Sequence, residues 1–275
     1  MKAFIKKTII ILLSALLLAG CGSKEKSALR EYEEYSRPMC EMPEALATNE
    51  DFRNAWKCVA LKATEGGGSY NGIPLLALTS KRMEEELREN GYSPTVKGYT
   101  LSVSNSDYLL EAKKNISDDK DHIKSIWLQY LQMDEEDFDS SIVNQLNEEA
   151  SLGISKEIFG KTADELFIRL GINYEMMEWL LNRENASEYF YDQDQTFWAI
   201  SYLQDSKTTS SGETKYSFAL SLSYSALDVE ERIYIGFDLD HVRTIEYSIS
   251  ETLPDEINRR TKDYEDWLEK EAINQ

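Results

Sequence analysis

The chain is short of cysteine, histidine, proline and positive charge: its 275 residues include 3 Cys, 2 His and 5 Pro. Each shortage excludes something. Two histidines and three cysteines at no ligand spacing are too few donors for a zinc site. Neither His122 nor His241 belongs to a run that supplies a nucleophile, a base and an orienting acid together. No proline lies between Pro94 and Pro254, which leaves room for long uninterrupted elements. Lys and Arg number 30 against 50 Asp and Glu, for a net charge of −20. Binding phosphate needs clustered cations, so nucleic acid is excluded as a partner. Beyond the first twenty residues no run approaches the roughly 18 apolar residues of a membrane-spanning helix.

What is present is a core. Hydrophobic residues make up 41% of the chain, with 16 Tyr, 9 Phe and 5 Trp. That is enough apolar material to fold, and it separates the chain from disordered acidic tails.

The beginning of the chain has its own logic. Lys2, Lys6 and Lys7 precede an apolar stretch from Thr8 to Ala19, interrupted only by Thr8 and Ser14. The stretch is too short to cross about 30 Å of hydrocarbon as a helix, and its layout is that of a secretory signal. It ends Leu18-Ala19-Gly20-Cys21: an apolar branched residue, two small ones, then cysteine. This resembles the lipobox of bacterial lipoproteins, over residues 1–21 alone. The resemblance implies a signal peptide over residues 1–20. It also implies a diacylglyceryl group on the Cys21 thiol and fatty acyl chains such as palmitate. Cys21 would then begin a lipoprotein on the extracytoplasmic face of the cell membrane. Each buried CH₂ contributes about 0.8 kcal/mol, so two or three chains hold firmly. Losing the three lysines would take the net charge from −20 to −23.

Residues 21–45 are polar, acidic and hold two of the prolines, and they read as a tether. Residues 46–275 read as one α+β domain. Its expected layout is helices over 46–187, an antiparallel β-meander over 188–251 and a closing helix over 254–273. Phe52, Trp56, Val59 and Ala63 share a helical stripe. Residues 66–74 read as a loop, and residues 80–89 as a second amphipathic helix. Residues 95–104 alternate as one strand. A helix capped by Asp118 or Asp119 is expected to carry Ile123, Ile126, Trp127 and Tyr130, and another to run near 137–150. Thr162 with Glu165 forms a capping box, and Asn173 caps the helix of Met176, Met177, Leu180 and Leu181. Tyr216, Phe218, Leu220, Leu222 and Tyr224 alternate with small residues, so they are expected to share one buried face. Ile233, Ile235 and Phe237, then Ile245, Tyr247 and Ile249, repeat the pattern. Ile257, Tyr264 and Leu268 are the expected buried stripe of the last helix.

No catalytic set assembles. Gly67-Gly68-Ser69-Tyr70-Asn71 misses the nucleophile-elbow pattern at its last position. The Ser-x-x-Lys matches at Ser23–Lys26 and Ser117–Lys120 lack companion motifs. Asp192-x-Asp194 and Asp238-x-Asp240 offer oxygen donors, but neither continues as a calcium loop. The expectation is no metal and no cofactor. Once Cys21 carries lipid, Cys40 and Cys58 remain, and either one disulfide or two thiols is open to them. The serine-rich phase of residues 216–225 would be either a solvated face or a flat surface for a polymer. The expected role is thus a non-catalytic binding or accessory module at the cell surface. Its ligand would be a protein or polymer, and the membrane its partner through the acylated cysteine. The alternative is a lipid-anchored hydrolase that uses a carboxylate pair.

Overall fold

The computed structural model describes residues 40–64, 69–71, 73–75, 77–115, 121–131, 140–146, 158–182, 187–191, 197–225, 229–238, 241–251 and 254–273. The signal segment and Cys21 lie outside the described residues. The chain divides into two compact units, Met1–Arg37 and Pro38–Gln275, and every described residue belongs to the second.

That unit is a mixed α+β structure built on one nine-stranded antiparallel sheet. Two short strands, β1 (Ser69–Tyr70) and β2 (Ile73–Pro74), form a separate ribbon. The large sheet begins with β3 (Thr95–Lys97), β4 (Thr100–Ser104), β5 (Tyr108–Lys114) and β6 (Ile123–Tyr130). It continues with β7 (Ser187–Tyr191), β8 (Phe197–Thr208), β9 (Thr214–Ser225), β10 (Val229–Asp238) and β11 (His241–Glu251). The spatial order is β3-β4-β5-β6-β11-β10-β9-β8-β7. Two meanders therefore meet at the β6–β11 pair, where Ile126 stands opposite Tyr247 and Leu128 opposite Ile245.

Alternation along each strand sorts the side chains by face. One row of the covered face runs Leu220, Ile235, Ile245, Leu128, Leu110 and Val103 across six strands. The next runs Ile200, Leu222, Ile233, Tyr247, Ile126, Ala112 and Leu101. All of these are buried.

Six helices accompany the sheet among the described residues: α1 (Asn49–Ala63), α2 (Ser80–Glu89), α3 (Ser140–Gln145), α4 (Ala163–Leu170), α5 (Tyr174–Leu181) and α6 (Pro254–Ile273). Helix α1 packs on β9 and touches α4 and α5. Its stripe buries Trp56, Val59 and Ala63. Phe52 of α1 stacks on Trp179 of α5 with ring centroids 5.3 Å apart, and Phe167 of α4 meets Phe237 of β10 edge-on. Capping boxes start α1 at Thr48 with Asp51 and α4 at Thr162 with Glu165, each satisfying two backbone donors that the helix leaves open. Asn173 caps α5 by accepting from the Met176 amide at 2.9 Å.

Several expectations need correction. The segment 46–187 is not a helical half, because β3 to β6 lie inside it. Ile123, Ile126, Trp127 and Tyr130 fit a helical stripe, yet Ile123–Tyr130 is β6, bonded to β5 on one side and β11 on the other. Both periods occur in so short an apolar run, and neighbours on two sides select the strand. His122 therefore opens no helix; it makes an isolated bridge with Thr79. Residues 95–104 are not one strand but a hairpin, turned by Gly98 at φ 56° with Lys97 opposite Thr100. A two-residue turn of this kind needs positive φ, which glycine adopts without strain. Val96 and Tyr99 are consequently exposed. The expected loop at 66–74 contains the β1–β2 ribbon. The helix expected near 137–150 is described only as Ser140–Gln145.

On β9, Leu220, Leu222 and Tyr224 are buried as expected, but Tyr216 is exposed. There the β8–β9 hairpin runs past β10, whose pairing with β9 stops at Ser217. Helix α6 does not bury its expected stripe: Leu268 is exposed, Tyr264 is half-buried and stacks on Trp267, and the Ile257 side chain lies outside the described residues. On the sheet, α1 packs against β9 and Phe167 of α4 meets Phe237 of β10.

Candidate functional site

The opposite face of the sheet mixes polar, aromatic and small side chains. Ser201, Ser221, Tyr234, Glu246 and Trp127 form one row across β8, β9, β10, β11 and β6, and all are half-buried. The adjacent row reads Leu203, Ala219, Gly236, Thr244 and Gln129. Low side chains at Ala219 and Gly236 between taller neighbours make a trough of about 560 Å³. That volume falls within the range of small-ligand sites.

Local sequence explains its shape. Gly236 stands inside a strand, where glycine marks a bulge or a close approach. A Cβ there would lie 3.3 Å from the Thr244 Cβ and 3.4 Å from the Tyr234 ring. The missing side chain is thus what allows Tyr234 to sit over the trough floor. The β10–β11 register shifts at Gly236/Phe237: Gly236 faces Thr244, and Phe237 faces Val242. Arg243 is the extra residue of this bulge, a device that re-aims a side chain. Its guanidinium lines the trough with Nη2 3.5 Å from Asp238 Oδ2. That exceeds the roughly 2.7–2.9 Å of a tight charge-assisted bond. The Arg243 Nε is buried with no hydrogen-bond partner among the described residues. Asp205 and Ser217 complete the polar end.

The buried carboxylates lie elsewhere and have their own partners. Glu231, on the covered face, accepts from the Tyr247 hydroxyl at 2.5 Å. Glu86 of α2 accepts from Arg82 Nε at 2.7 Å and from the Asn71 amide at 3.3 Å. Tyr70, fully buried and donating to Gln145, has its phenol pushed well above the usual range by burial, then by the Glu86 charge. Neither carboxylate lines the trough.

A second cleft, about 940 Å³, lies between residues 44–52 and α5. Glu44, Glu175 and Glu178 line it, with the Phe52–Trp179 stack as its floor.

The residues singled out in the sequence are scattered. Cys40 and Cys58 are joined as a disulfide with Cα atoms 5.6 Å apart, which ties the segment before α1 to that helix. His241 opens β11 opposite Asp238 and bridges to Thr162. Asp238 lines the trough, whereas Asp240, Asp192 and Asp194 lie outside the described residues. So do both Ser-x-x-Lys segments. Ser69 belongs to β1. No group of three or more metal-ligating side chains occurs among the described residues, and no described helix is long and apolar enough to cross a membrane. Tyr234, Gly236 and Arg243 escaped the sequence reading. Gly236, lone within an apolar alternating run, was the available signal. Comparison with known proteins finds no family model, no curated protein and no solved structure that matches this chain.

Proposed function

We propose that the chain is a lipid-anchored extracytoplasmic lipoprotein, held on the cell membrane by acylated Cys21 and acting as a non-catalytic binding module. The trough on the open face of the sheet is the site assigned to that role. One observation carries the reading. The face opposite the buried rows carries Ser201, Ser221, Glu246, Thr244 and Gln129, and it bears a strand-interior glycine and a bulge that reshape it. A face that only met water would need neither feature.

The hydrolase alternative has less support. Its general acid must sit in a dry, apolar setting to stay protonated. Asp205 of the trough is exposed, Asp238 faces Arg243, and buried Glu231 and Glu86 are already hydrogen-bonded. Two measurements test the proposal. Cys21→Ser is expected to leave the chain unacylated and absent from the processed membrane-bound fraction. Retention of Cys21→Ser in that fraction at the same processed size overturns the anchor. Turnover of a chromogenic ester, peptide or glycoside panel that Asp205→Asn or Asp238→Asn abolishes overturns the non-catalytic reading.

A further inference from the structure

We infer that the trough takes a neutral saccharide; this rests on the trough being the binding site. The chemistry of the trough narrows the ligand by exclusion. Along the trough floor, Ser217–Ala219 of β9 and Tyr234–Gly236 of β10 are paired on both sides, so their backbone groups are spent on the sheet. A peptide strand has no edge here to extend, and recognition must come from side chains. A polyanion meets a chain of net charge −20 and, in the trough itself, two carboxylates against the single Arg243. An apolar ligand would strip water from Gln129, Thr244, Asp238 and Arg243 without replacing their hydrogen bonds.

A sugar ring meets what is left. Its C–H face lies on the Tyr234 ring, which Gly236 leaves room for. Its hydroxyls, each both donor and acceptor, match the mixed set supplied by Gln129, Thr244, Asp238 and Arg243. Arg243 is suited to this, since its separation of 3.5 Å from Asp238 leaves donors of the guanidinium for a ligand. The open trough suits a chain of sugars laid across the strands better than a single enclosed ring.

The test uses the full acylated chain in a zwitterionic detergent. It is titrated calorimetrically with the hexamer of β-1,4-linked glucose and the hexamer of β-1,4-linked N-acetylglucosamine, with hexalysine and a sulfated oligosaccharide as charged comparators. Binding of at least one neutral hexamer is expected. Tyr234→Ala should weaken it about tenfold, the scale of one lost stacking contact. Tyr234→Phe should keep it, and Ser223→Ala, on the same face outside the trough, should leave it unchanged. Unaltered circular dichroism of Tyr234→Ala guards against a folding defect. Absence of binding by both neutral hexamers overturns the saccharide assignment. If hexalysine or the sulfated sugar binds instead and Tyr234→Ala weakens it, the saccharide falls while the trough stands. Binding of a neutral hexamer that Tyr234→Ala and Arg243→Ala both leave intact overturns the trough.

Discussion

Leu222 and Ser223 are neighbours on β9, yet they belong to different materials. Leu222 is fully buried between Ile200 and Ile233. Ser223 is half-buried between Ala199 and Arg232 on the opposite face. The same contrast runs across the sheet from β4 to β8. One face spends large aliphatic and aromatic side chains on packing; the other mixes hydroxyls and charges with Leu203, Tyr234 and Trp127 around the trough. The buried rows and the trough thus lie on opposite sides of one sheet.

The sharpest way to break the contrast is to hollow the covered face. Leu220→Ala should cost about 2–5 kcal/mol in chemical unfolding, as cavity-forming truncations do. Ser223→Ala should stay within about 0.5 kcal/mol, as surface changes do. Equal costs would mean that the open face is packed too.

The cover itself is the next target. Cys40 and Cys58 are 18 residues apart, and closing such a loop removes about 3 kcal/mol of unfolded-chain entropy. Cys40→Ser/Cys58→Ser should lower stability by about that amount, with α1 amides losing hydrogen-exchange protection before those of β10. Unreduced mass spectrometry should recover one linked peptide joining the two cysteines.

Within the covered face, Tyr247→Phe removes a donor from buried Glu231, and about 1–3 kcal/mol is expected. A neutral result would show that the other contacts of Glu231 suffice.

The smallest effect concerns the helices of the cover. Asp51 has its carboxyl held below the ordinary range, first by the Thr48 hydroxyl, and Glu165 has its own held down chiefly by the Thr162 backbone amide. A depressed carboxyl contributes stability above its unfolded value, near pH 4, and loses it as pH falls through the lower folded value. Thermal melts from pH 7 down to pH 3 should decline, and Asp51→Ala with Glu165→Ala should flatten that decline.

How much was legible depended on how local the signal was. The capping boxes at Thr48 and Thr162 are contained in four-residue windows, and the Thr162 box was read correctly from sequence. The alternation of Leu220, Leu222 and Tyr224, and of Ile233 and Ile235, predicted their shared face because period two over several residues has no helical equivalent. Ile123–Tyr130 misled because its apolar residues satisfy both periods. Its isoleucines and aromatics, which favour strands, were the clue that could have decided it.

Arg243 is the clearest case of what stayed hidden. Nothing in Val242-Arg243-Thr244 announces a bulge. It exists because β11 pairs with β10 in a register that shifts at Gly236/Phe237. Composition and periodicity were enough to indicate a folded acidic α+β domain and the polar phase of its last strands. Each of these is a property of residues close together in the chain. Joining two meanders at β6–β11, packing α1 on β9, and bringing Tyr234, Gly236, Arg243 and Gln129 to one trough are matters of pairing between distant segments. Strand order and register depend on which partners pack best across the whole sheet, and no single segment carries that information.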